Sequence, residues 1–82
     1  MFVSTSVGLG AALYQRRTDL GLTQAQVAAR AGVSRQWLVA AEQGKETAEL
    51  GRVLRVLRVL NLALEVVSAG DDAAQLAAIV DG

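Results

Sequence analysis

The sequence holds no cysteine and no histidine. Without cysteine there are no disulfide staples and no thiolate zinc sites, and without histidine there are no histidine triads and no imidazole proton shuttle. Long apolar runs are missing as well. The longest uncharged stretch, Met1 to Gln15, is broken up by glycines and hydroxyls. It is too polar for a spanning helix, and no basic start precedes it as a signal peptide would require. These gaps lead us to expect a cytoplasmic protein with no membrane contact, no metal and no cofactor. Nor do paired carboxylates fall on one expected helix face beside a base, so no enzymatic activity is expected.

Hydrophobic side chains make up 52% of the 82 residues, which suits one compact domain and leaves little room for a second. A chain this short, without disulfides or metal, stabilises itself sparingly. Oligomerisation is a remaining way to bury apolar surface, and a homodimer is expected. The formal net charge of zero averages over two unlike parts. Residues 1–60 hold all eight bases against four acids, net +4, while residues 61–82 hold four acids and no base, net −4. That acidic end either aids solubility or meets a basic partner, and both readings stay open.

Along the chain, Thr5 or Ser6 can cap a first helix on which Leu9, Leu13 and Leu20 recur near helical spacing up to Gly21. Thr23 with Gln26 forms a capping box for a second helix from about Gln24 to Arg30, with Val27 and Ala28 facing inward. Gly32 supplies a tight turn, Val33 can pack inward, and Ser34 caps a third helix that carries Leu38 and ends near Gln43 and Gly44. After a loop at Lys45, Thr47 can cap a fourth helix through Leu60, within which "GRVLRVLRVL" repeats Arg-Val-Leu. At about 100° per residue, Arg52, Arg55 and Arg58 cover one side of this helix. Val53, Leu54, Val56, Leu57, Val59 and Leu60 sweep an apolar arc of roughly 220°, about twice what one core contact needs. Asn61 is a stop, and Leu62, Ala63, Leu64, Glu65, Val66 and Val67 read as a strand. One strand cannot satisfy its own backbone. Pairing with the same strand of a second subunit would do so, and would cover the spare face of the fourth helix. From Asp71 the chain reads equally as a short helix or a frayed tail.

Two short helices joined by a glycine turn, the second opening on polar residues, have the layout of a helix-turn-helix. A recognition helix points its first turn at base edges in the major groove. Arg there can donate two hydrogen bonds to guanine O6 and N7, and Gln can pair with adenine N6 and N7. Arg35 and Gln36 have that chemistry. The neighbouring Trp37 has two readings: packing or partner contact, which is favoured, and contact with a thymine methyl or sugar in DNA. The arginine stripe of the fourth helix is read as a solvated face rather than a phosphate site, with Glu49 able to pair with Arg52.

The stretch "GLTQAQVAARAGVSRQWLVAAEQGK" resembles the DNA-binding domain of the lambda-repressor/Cro-like (Xre) family, and residues 9–60 follow that family's helix order. The matching positions include Arg17, Gly21, Thr23, Gln24, Gly32, Ser34, Leu38, Glu42 and Gly44. The resemblance implies an all-α, five-helix lambda-repressor-like domain of four to five short helices, with a short C-terminal β-strand pairing across a homodimer. It implies that Arg35 and Gln36 read bases, while Thr23, Gln24, Ser34, Lys45 and Thr47 meet the DNA backbone. Arg17 and Glu42 would form an internal ion pair. Ala41 stands where the family usually has a large apolar residue, so either the core is thin there or a neighbour fills it.

The ending "LRVLNLALEVV" is similar to that of HipB-like antitoxins, a likeness that covers about residues 4–67. It implies an antitoxin of a type II toxin-antitoxin pair. Such a protein binds palindromic operator DNA as a dimer, represses its own operon and holds a HipA-like Ser/Thr kinase toxin. The alternatives are a stand-alone repressor of the same fold and a module that binds only protein. On this reading residues 1–67 form the helix-turn-helix and dimerisation domain, and 68–82 an acidic tail or short helix.

Overall fold

The computed structural model describes residues 2–68. Its four α-helices are α1 (Ser6–Asp19), α2 (Gln24–Ala31), α3 (Arg35–Glu42) and α4 (Leu50–Val59), all connected by short turns. This is the all-α helix-turn-helix architecture expected, with four helices. The reading of 69–82 as helix or tail falls outside the described residues.

Local chemistry sets most of the helix starts. The Thr5 hydroxyl accepts the Gly8 N–H at 2.9 Å, satisfying one of the free donors of the first turn of α1. At α2 the capping box is complete: Thr23 Oγ1 accepts the Gln26 N–H at 3.1 Å, and the Thr23 N–H donates to Gln26 Oε1 at 2.8 Å. The start of α4 departs from expectation. Thr47 does not cap it; the helix begins at Leu50 after Glu49, with no side-chain cap. The reason lies in the loop, where the Ala48 N–H donates to the Lys45 carbonyl and Ala48 packs on the core, so Thr47 is spent in a turn and left exposed.

Leu13, Val27, Leu38, Val56 and Leu60 are the largest wholly buried side chains, and Ala28, Ala31, Ala41, Val53 and Leu57 complete the core. Each buried leucine or valine contributes about 1.5–3 kcal/mol on leaving water, and each alanine about one methyl's worth. Leu9 packs partly on this core, but Leu20 stays exposed because it lies past the last turn of α1 as its C-cap. α1 packs on α3, and α2 packs on both α3 and α4.

α1 and α3 cross closely beside Ala41. A Cβ at Gly10 would come within 2.5 Å of the carbonyl oxygens of Ala41 and Glu42. The α1 backbone therefore lies directly against the end of α3, an approach that only a glycine at position 10 allows, and Ala41 is buried at this crossing.

α4 buries Val53, Val56 and Leu57, with its C-cap Leu60 buried beside them, leaves Val59 half-buried, and keeps Leu50 and Leu54 exposed, so the apolar arc is wider than its contact. Asn61 ends it in the left-handed region at φ 55°. Arg16 Nε donates to the Leu60 carbonyl at 3.0 Å, and the Leu62 N–H donates to the Leu57 carbonyl at 2.8 Å. Together these close the helix end and direct the chain into residues 62–68, which have no regular secondary structure in the single chain. No helix among the described residues is long and apolar enough to cross a membrane.

Candidate nucleic-acid interface

The turn between α2 and α3 is built from three consecutive residues with separate tasks. Gly32 takes φ 70°, a conformation costly for a residue with a Cβ, and so reverses the chain after α2. The Val33 N–H returns to the Ala28 carbonyl at 3.0 Å while its side chain packs on the core. Ser34 then stands extended, and its Oγ accepts the Trp37 N–H at 3.0 Å, which opens α3. That hydroxyl keeps its own proton to donate elsewhere.

α3 divides into two faces. Leu38 and Ala41 are buried, and Trp37 is half-buried against the core, in line with the packing reading of this indole. Arg35 and Gln36 point the other way: both are exposed, and neither side chain makes a hydrogen bond or ion pair to another described residue. Lys45 and Thr47 lie exposed in the loop that follows α3, with the acidic Glu46 between them.

Behind this surface lies a buried charged bridge. Arg17 Nε donates to Glu42 Oε2 at 2.7 Å and Arg17 Nη2 to Glu42 Oε1 at 3.0 Å, a two-point clamp between the end of α1 and the end of α3. Arg17 Nη1 also donates to the Leu22 carbonyl at 3.0 Å, and Tyr14 lies 5.3 Å beneath the guanidinium. The Arg17 pKa is raised above its ordinary value, chiefly by the hydrogen bond to Glu42, against the opposing effect of burial. Gln24 Nε2 donates to Glu42 Oε1 at 3.1 Å, so the residue that opens α2 is braced against the end of α3. Its second amide N–H remains for another acceptor.

The structure thus joins Arg17, Glu42 and Gln24 and sets Arg35 and Gln36 apart on the open face. Leu62–Val67 lie beyond α4. Sequence reasoning missed two members of this arrangement. Gly10 carried the signal of a helix-interior glycine, a residue costly enough to need a packing reason. Arg16, whose partner is a backbone carbonyl 44 positions away, carried none.

Comparison with known proteins agrees with this geometry. The family model described as a helix-turn-helix domain matches residues 8–69. An uncharacterised HTH-type transcriptional regulator of Sinorhizobium fredii is 33% identical over 69 residues, covering 84% of this chain and 91% of that protein. One from Methanothermobacter thermautotrophicus is 41% identical over 46 residues, 56% of this chain and 67% of that one. Among solved structures, HipB in the HipB-O4 20mer complex superposes with a TM-score of 0.80 at 20% identity, covering 85% of this chain and 99% of that chain. A chain of the HipA-HipB-O2-O3 complex gives the same TM-score at 18% identity, over 85% of this chain and 99% of that one. By its matched residues and by its fold, the chain belongs to the helix-turn-helix domain family of DNA-binding transcriptional regulators.

Proposed function

We propose that this protein is a dimeric antitoxin that binds palindromic operator DNA, represses its own operon and holds a HipA-like kinase toxin. The observation that carries the DNA reading is the exposed pair Arg35 and Gln36 on the first turn of α3, whose side chains have no partner among the described residues. In this reading α3 enters the major groove, Arg35 and Gln36 address base edges, and Thr23, Gln24, Ser34, Lys45 and Thr47 position the domain on phosphates. The dimer pairs Leu62–Val67 of two copies and spaces the two α3 helices about 34 Å apart, one turn of DNA. The protein acts by binding alone and catalyses nothing.

The toxin partner is supported by the fold shared with HipB, which is itself found in a complex with HipA. The stand-alone repressor is the second reading, favoured by the two sequence relatives, both described as HTH-type transcriptional regulators. Titration of the promoter upstream of its own gene, beside a scrambled duplex, at two salt concentrations tests the shared part of both readings. Tighter binding to the promoter is expected at each salt. Equal binding to both duplexes would leave a module that binds only protein. A pull-down with the product of a neighbouring kinase-like gene then separates antitoxin from solitary repressor.

A further inference from the structure

We propose that the N-terminal residues Phe2 and Val3 form part of the dimer contact, making with the C-terminal segment an apolar groove that seats a second copy of this chain. The inference rests on the dimeric reading above and extends it to the opposite end of the sequence. Residues 2–4 come alongside residues 64–68 and line with them one open groove of about 490 Å³. Its walls are Phe2, Val3, Leu64, Val66 and Val67, and Glu65 is its one charged member.

Nothing among the described residues covers these side chains. Phe2 is 87% exposed and Val66 92%, and the other three are between 43% and 52%. Together they leave bare on the order of several hundred Å², as large as the biggest apolar patch of an ordinary monomer. A stable interface removes about 800 Å² from each partner, and this patch supplies much of that from five side chains.

The lining also says what kind of partner fits. A nearly uncharged groove with one carboxylate offers nothing to a phosphate backbone. It suits an apolar segment whose main-chain groups have no partner among the described residues, and Ala63–Val67 of another copy is such a segment. Because a two-fold contact is self-complementary, the groove of each copy receives the segment of the other, so one association covers both patches.

Sedimentation equilibrium over a range of concentrations tests this with Phe2→Ser/Val3→Ser and, separately, Leu64→Ser/Val66→Ser. Phe2 and Val3 lie outside the buried core, so helical content should stay that of the wild type. The N-terminal pair of changes should weaken dimerisation about ten-fold or more. Should that variant lose its helical signal, Phe2→Ala is read instead, with a smaller shift in the same direction. A wild-type dimer constant in the N-terminal variants, with dissociation only in Leu64→Ser/Val66→Ser, would overturn the role of Phe2 and Val3 and leave the strand-paired dimer standing. A wild-type chain that stays monomeric at every concentration would overturn both.

Discussion

Glu42 is the residue that ties α1 and α2 to the end of α3. Its two oxygens take three donors, from Arg17 and Gln24, and its side chain is only 5% exposed. Glu42→Ala leaves the Arg17 guanidinium buried without a counter-charge, and a loss of about 3–5 kcal/mol in urea unfolding is expected. Arg17→Met/Glu42→Leu removes both charges and should cost clearly less; an equal loss would show that the charge is not the cause. Exposed residues should behave differently. Arg35→Ala should leave stability unchanged and reduce discrimination between operator and scrambled DNA by about 1–3 kcal/mol. Lys45→Ala should weaken both duplexes alike and reduce the slope of log affinity against log salt by about one. Equal effects of the two variants on both duplexes would contradict their assignment to bases and phosphate.

Between the helices, the tightest fit is that of α1 on α3. Gly10→Ala improves intrinsic helix propensity by about 1 kcal/mol, yet the new methyl would meet two backbone carbonyls at 2.5 Å that cannot turn aside. The clash should win, with a net loss of about 1–3 kcal/mol. Gly51→Ala is the control. It lies in α4, exposed, with nothing within 4 Å of the new atom, and should raise stability by up to about 1 kcal/mol. Thermal unfolding of the pair reads both signs. At this scale the capping residues Thr23, Gln26 and Ser34 were legible in the sequence, because a cap needs only the next three residues. Thr47 misled for the same reason. Its hydroxyl looks like a cap, but the turn closed by Ala48 and Lys45 moves the helix start past it.

For the molecule as a whole, net charge is a poor guide to partners. The bases lie in the helical body and the surplus acids after Asn61, so a neutral total is compatible with a cationic face meeting DNA. A rigid dimer also makes a geometric demand. Inserting about half a helical turn, some five base pairs, between the operator half-sites should lower affinity to that of one half-site. Titration of the two duplexes checks this, and unchanged affinity would exclude paired recognition helices.

Apolar periodicity, glycine turns and capping hydroxyls determined the four helices of the described residues, and the polar opening of α3 marked its exposed face, because these are interactions between residues a few positions apart. The Arg17–Glu42 pair came from family likeness, since nothing local ties two residues 25 positions apart. Only the tertiary structure decided that α1 meets the Ala41 and Glu42 carbonyls at Gly10 and that Arg16 holds the end of α4. It alone placed Phe2 beside Val66. Each depends on the distance between elements after packing, a quantity no local pattern encodes.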